Sequence, residues 1–147
     1  MLFLWIFLVL TILFLGVCYG IYRFAYYSPN KTQNDDHSVI SSPQTDPQRN
    51  HIMEMIDAVR ALPFESVTIL SHDGLRLHAK YYHFRDGAPL NICFHGYRGT
   101  PARDFSGGTQ IMRREGHNLL MIEERAQCGS EGHTITFGNQ ERYDCLD

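Results

Sequence analysis

The chain has 147 residues, a net charge of −3 and 20% charged side chains. Its basic residues are scattered, which excludes the electrostatic footprint of a nucleic-acid-binding domain. Cys18, Cys93, Cys128 and Cys145 form no CxxC pair, and the eight histidines form no HxxxH pair. A disulfide framework, a zinc site, any other metal centre and any cofactor are therefore not expected.

Residues 1–22 carry no charged side chain. As a helix they reach about 33 Å, enough for a hydrocarbon core of about 30 Å. Tyr19, Tyr22, Tyr26 and Tyr27 suit the interfacial aromatic belt, and Arg23 marks the first aqueous contact. A cleaved signal peptide wants a basic start, a shorter apolar run and a small-x-small site; Val17-Cys18-Tyr19 offers none. A lipoprotein signal ending at Cys18 wants a small residue before it and finds Val17. Residues 1–24 are read as a single-pass anchor with the lipid bilayer as partner. Arg23 and Lys31 follow the span and nothing basic precedes it, so the part behind it is expected to be cytoplasmic.

Residues 25–46 read as a polar linker, flexible from Ser28 to Thr45. Its end has two helix-start registers. Asp46 as N-cap places Pro47 at the first helical position; Thr45 as N-cap gives Gln48 the capping-box spacing. The first is preferred. Ile52, Ile56, Val59 and Leu62 then repeat at helical spacing until Pro63.

Residues 65–71 alternate, with Val67 and Ile69 on one face. Leu75, Leu77, Ala79 and Tyr81 alternate after the turn His72-Asp73-Gly74, which predicts an antiparallel hairpin. Asp86-Gly87 is a second turn. The apolar run 90–94 predicts a strand buried on both faces. A helix between Pro101 and Glu115, stopped by Gly116, leads to a second buried strand over 118–122. Strand, helix, strand implies a right-handed crossover in a parallel sheet. Residues 131–138 read as loop, and Gln140 begins a further helix. The pattern has no stop signal there, so Asp147 reads as an interruption.

The stretch Phe94-His95-Gly96-Tyr97-Arg98-Gly99 closes the first buried strand, at the end where open α/β sheets bind ligands. The second is followed by Glu123-Glu124-Arg125-Ala126-Gln127-Cys128-Gly129-Ser130-Glu131-Gly132-His133. With the hairpin before them, these residues make 64–147 resemble the α/β-hydrolase superfamily, and within it the membrane-anchored bacterial serine hydrolases. The resemblance implies an α/β fold: the N-terminal part of an α/β-hydrolase sheet, an antiparallel hairpin followed by parallel strands with a crossover helix, preceded by one transmembrane helix. Residues 47–147 would be a partial hydrolase domain, cut before its nucleophile elbow.

By that resemblance His95 and Gly96 form the turn, His95 being structural. Tyr97 donates its backbone N–H to the oxyanion hole, where a tetrahedral intermediate develops negative charge. Gly96 lets the backbone turn sharply and approach substrate. The family pattern Asp-x-Arg-x-x-Gly-x-Ser meets Glu123 for Asp and Cys128 for Gly, while Arg125 and Ser130 match. Arg125 is read as fixing the loop by hydrogen bonds; a solvated arginine is the plain alternative. Cys128 puts the loop's backbone conformation in doubt, since a glycine there can serve positive φ.

Two serines imitate a nucleophile. Cys128-Gly129-Ser130-Glu131-Gly132 resembles GxSxG, but no strand directly precedes Ser130 and no helix directly follows it. Ser106 fails likewise, and its neighbours Gly107 and Gly108 are read as permitting close helix packing. No catalytic residue is expected in this chain. The complete protein would hydrolyse a small-molecule ester, thioester or amide through an acyl-enzyme. A rival reading is a non-catalytic membrane-tethered binding or scaffold module. A nucleotide-binding α/β domain lacks its GxGxxG loop.

Overall fold

An uninterrupted apolar run makes the first element, and alternation of apolar side chains makes most of the rest. The computed structural model describes residues 1–28, 37–39 and 41–146. Helix α1 (Leu2–Ile21) runs into a single π turn, Tyr22–Tyr26. It is long and apolar enough to cross a membrane, and none of its side chains is buried by the rest of the chain. Much of the segment expected to be a flexible linker, 29–36 and 40, lies outside the described residues. Ser38 accepts Arg103 Nη1 at its hydroxyl (3.0 Å), and the Val39 carbonyl accepts Arg49 Nη1 (3.1 Å).

Helix α2 (Arg49–Arg60) is entered through a 3-10 turn, Asp46–Gln48. Neither expected cap forms. The Asp46 carboxylate takes Ser41 Oγ at 2.8 Å and Arg49 Nη2 at 3.0 Å, and Thr45 Oγ1 bonds Ser42 instead of the helix start. The side chains just upstream and one turn on are better partners than the helix amides.

Strands β1 (Glu65–Leu70) and β2 (Arg76–Tyr82) form the hairpin, pairing Val67 with Ala79 and Ile69 with Leu77. The turn closes with Gly74 at φ +84 and Ser71 Oγ accepting Leu75 N–H (2.9 Å). Strand β3 (Leu90–Phe94) leads to α3 (Pro101–Asp104) and α4 (Ser106–Glu115). The expected single helix breaks at Phe105. Thr100 Oγ1 caps α3 by accepting Arg103 N–H, and Gly116 ends α4 in the left-handed region at φ +76. Strand β4 (Asn118–Glu123) and the short α5 (Glu141–Asp144) follow.

The sheet order is β1-β2-β4-β3, with β4 parallel to β3 and antiparallel to β2. Helices α2, α3 and α4 cover one face. Val59, Tyr82, Cys93, Leu119 and Met121 make the core there, with Leu62, Ala102, Phe105 and Met112 packed against it. Asn118 ties the loop before β3 to this layer: its Oδ1 accepts the Phe84 and Arg85 amides, and its Nδ2 donates to Arg85 O.

Among the described residues the other face is covered only in part: Leu77 and Ala79 on it are buried, and Glu141, Asp144 and Cys145 border what stays open. Val67, Ile69, Ile92, Phe94, Leu120 and Ile122 line a groove of about 230 Å³ upon it. Strand β3 is therefore not buried on both faces as expected. Only Cys93 is buried, while Ile92 is 55% and Phe94 46% exposed. Among the described residues β3 pairs with β4 alone, and nothing packs over its second face. An apolar run records the hydrophobicity of a strand, not the presence of what covers it. Strand β4, central in the sheet, is buried at Asn118, Leu119, Met121 and Glu123.

Candidate functional site

The carboxyl ends of β3 and β4 lie side by side, with Phe94 paired to Ile122. Two loops leave there: 95–100 and 124–131. In the first, His95 is buried. Its Nδ1–H donates to Gly96 O (3.0 Å) and its Nε2 faces the Glu124 N–H at 3.5 Å, the neutral tautomer that serves both contacts. Burial pushes its pKa down, so it is an uncharged bridge between the loops.

The turn itself is built by Asp104. Its Oδ2 accepts the Gly96 N–H at 2.8 Å, and the Gly99 N–H donates back to Gly96 O at 2.8 Å. Among the described residues the Tyr97 N–H makes no hydrogen bond. Arg98 is in the left-handed region at φ +52. The glycine that permits this packing is Gly99. A Cβ there would run into Asp104 Oδ2 and sit 2.8 Å from Gly96 O, whereas one at Gly96 would meet only Asp104 Oδ2, at 3.4 Å. Gly96 also has no positive φ. The tightest space in this turn is therefore kept by Gly99.

The second loop is held at both ends. The Glu123 carboxylate accepts the Gly129 N–H (2.8 Å) and pairs with Lys80 Nζ (3.2 Å). Ser130 is fully buried; its Oγ accepts the His78 N–H (2.8 Å) and donates to Glu123 O. Between these ties Ala126 and Cys128 adopt φ of +58 and +47. The left-handed conformation is present at Cys128 without a glycine, at a cost of roughly 1–2 kcal/mol.

Arg125 is the hub. Its side chain is 5% exposed. Nε and Nη2 grip Asp144 at 2.7 and 2.5 Å, while Nη1 and Nη2 reach Asp73 at 2.9 and 3.3 Å. One guanidinium so joins the β1–β2 turn, the loop after β4 and α5. The Arg125 hydrogen bond, and then that of Ser71, holds the Asp73 carboxyl down at about 2. His72, Asp73 and Asp144 lie close together, and both carboxylates are paired with the Arg125 guanidinium. Beside them, burial first and the charge of Glu141 second raise Glu124 to about 7.

Neither decoy serine is placed for attack. Ser106 is buried with its Oγ donating to Arg103 O (3.1 Å), and Ser130 is committed as above. Close packing is not why Gly107 and Gly108 flank Ser106. A Cβ on the first meets nothing, and one on the second meets only Met112 of its own helix. Sequence reasoning missed Asp104, Asp73, Asp144 and Glu124. Their roles rest on partners from other elements, so no local pattern marks them.

The fold is similar to that of solved structures. The Pyrococcus furiosus esterase Pf2001, in two of its crystal forms, aligns with TM-scores of 0.52 and 0.53 at 23% identity over 60% of this chain. The structure of DcsB with its substrate analogue aligns at 0.52, with 18% identity over 58% of this chain. The fold is one found in esterases. The aligned part spans 34% and 35% of the two esterase chains and 30% of DcsB, about a third of their length. No protein-family model matches the sequence, and neither does any curated protein.

Proposed function

We propose that this chain is the N-terminal part of a membrane-anchored serine hydrolase that cleaves an ester, thioester or amide through an acyl-enzyme, and that the part alone is inactive. One observation carries the reading. At the end of β3, in a fold shared with esterases, the Gly96 and Gly99 amides are used within the turn, while the Tyr97 N–H has no acceptor among the described residues. A donor held by a rigid turn costs little reorganisation when an oxyanion forms beside it. Asp104 fixes that turn, His95 links it to the loop after β4, and Arg125 fixes that loop.

Nucleophile and general base are a different matter. Acyl transfer by the covalent route needs a serine within reach of a base. The two serines that imitate one are buried and bonded inward, and His95 has both ring nitrogens engaged. The nucleophile, the acid and the catalytic histidine are assigned to further sequence, whose first elements would cover the open apolar face of the sheet. Helix α1 anchors the protein, and Arg23 beyond it favours a cytoplasmic hydrolase part.

A fluorophosphonate probe tests this directly. It should label a longer gene product carrying a GxSxG downstream and leave this chain unlabelled. Labelling of this chain at Ser130 or Ser106 overturns the assignment. A downstream reading frame without any such motif favours the tethered binding module.

A further inference from the structure

The candidate turn is fastened to the end of the apolar helix. Tyr97 Oη donates to Ala25 O at 2.8 Å, and Arg98 Nη2 donates to Phe24 O at 2.7 Å and Tyr27 O at 3.3 Å. These carbonyls belong to the last turn, where an intrahelical donor is lacking and a cation is favoured by the helix dipole. The loop after β4 grips the same segment. Ser28 N–H donates to His133 O (2.9 Å), Ile135 N–H donates to Tyr26 O (2.8 Å), and Tyr22 Oη shares a hydrogen bond with Thr134 Oγ1 (3.2 Å).

Aromatic rings continue the connection. Phe137 stands edge-on to Tyr26 at 5.4 Å and stacks on Tyr97 at 5.0 Å, while Arg23 lies 3.9 Å over the Tyr27 ring. Among the described residues nothing covers the rings of this face: Phe24 is 79%, Phe137 57% and Tyr97 47% exposed. Arg98 and Phe137, which project onto it, both carry φ of +52. Backbone strain of this kind costs about 1–3 kcal/mol and persists where the surroundings impose it. Here it is spent presenting a cation and an aromatic ring beside the helix end.

We propose that this face, formed by Tyr22–Tyr27, Tyr97, Arg98 and Phe137, docks into the interface of a phospholipid bilayer and holds the Gly96–Gly99 turn at headgroup depth. The inference rests on α1 being a membrane span. Its 20 residues cover about 30 Å of hydrocarbon, so the interface begins at Tyr22. Groups one hydrogen bond from the Phe24 to Tyr27 carbonyls then lie roughly 5–10 Å from the hydrocarbon boundary. Tyrosine and phenylalanine rings bury their apolar bodies at that depth, and Arg23 and Arg98 face lipid phosphates. The chemistry of the face is that of an interfacial belt which the domain extends beyond the helix.

The experiment uses the full chain in phosphatidylcholine–phosphatidylglycerol vesicles, with lipids brominated high on the acyl chain as the quencher. Trp5, the single tryptophan, reports insertion in the native chain. In a Trp5→Phe background, Phe137→Trp reports the proposed face. Asp86→Trp reports the opposite end of the sheet, where the Asp86 side chain is fully exposed. Tyr97→Trp reads the same face as Phe137 should that substitution disturb its loop. Brominated lipid should quench the Phe137→Trp or Tyr97→Trp signal about twofold and leave the Asp86→Trp signal unchanged. Quenching of Trp5 without quenching at 137 or 97 overturns the docking while the span stands. Equal quenching at 137 and 86 overturns it as well. An unquenched Trp5 removes the span, and the proposal with it.

Discussion

Replacing Arg125 by alanine removes one guanidinium and leaves two carboxylates facing each other across the space it filled. Asp144 is 11% exposed and Asp73 39%. Breaking a buried ion pair from one side costs about 3–5 kcal/mol, because the remaining charge stays desolvated. Solvent reaches Asp73, so its share is screened to about 1 kcal/mol. Asp144 supplies most of the rest, and the lower end, about 3 kcal/mol, is expected.

The loss should also depend on pH in a definite direction. The folded carboxyl of Asp73 is held at about 2, below its ordinary 3.8. Its contribution is therefore fully present above the ordinary value and fades as pH falls towards the folded one. Pulse proteolysis of the full chain in detergent, across a urea series, measures both effects. The gap between native and Arg125→Ala chains should be about 3 kcal/mol at neutral pH and should narrow under acid. Adding Asp144→Asn should recover part of it, since the uncompensated charge is then gone. A variant within about 0.5 kcal/mol of the native chain at neutral pH would refute the reasoning. So would a gap that does not change with acid.

Gly99→Ala should cost at least about 2 kcal/mol by the same assay, since the added Cβ meets backbone at 2.8 Å as well as Asp104, while Gly96→Ala should cost under about 1. Ser130→Ala should lose about 1–3 kcal/mol by orphaning the half-buried His78 amide, and should not alter probe labelling of a longer gene product. Glu124 has a folded value of about 7, raised from 4.5, so its effect on stability is absent below the lower value and becomes unfavourable as pH rises to the higher. Glu124→Gln should therefore match the native chain in mild acid and exceed it above neutral pH. A constant difference across that range contradicts the burial of this carboxyl.

The elements legible in the sequence are those whose signal is local. An uncharged run gives α1, and the alternation of Val67 and Ile69 with Leu77 and Ala79 gives the hairpin. Gly116, needed at φ +76, marks the end of α4. His95-Gly96 at the end of an apolar run places the turn, because the end of β3 is set by the same pattern that makes the strand. Caps were less legible. Asp46 chose Ser41 and Arg49 over the helix amides, a competition among neighbours of similar strength.

Everything that depends on distant partners was decided by the tertiary structure. Strand β4 inserts between β2 and β3, and only that pairing shows β3 to be an edge among the described residues, with Ile92 and Phe94 exposed. Asp104 lies on α3, yet it builds the turn and fills the space kept by Gly99. Arg125 finds Asp73 across 52 positions and Asp144 across 19. The helix end, which the sequence joins to the domain only through a polar segment, is met directly by Tyr97 and Arg98 from more than 70 positions away. Periodicity along a chain records which side of an element prefers to leave water. Which element arrives to cover that side, or to bind its carbonyls and carboxylates, is settled only when all the buried surfaces compete at once.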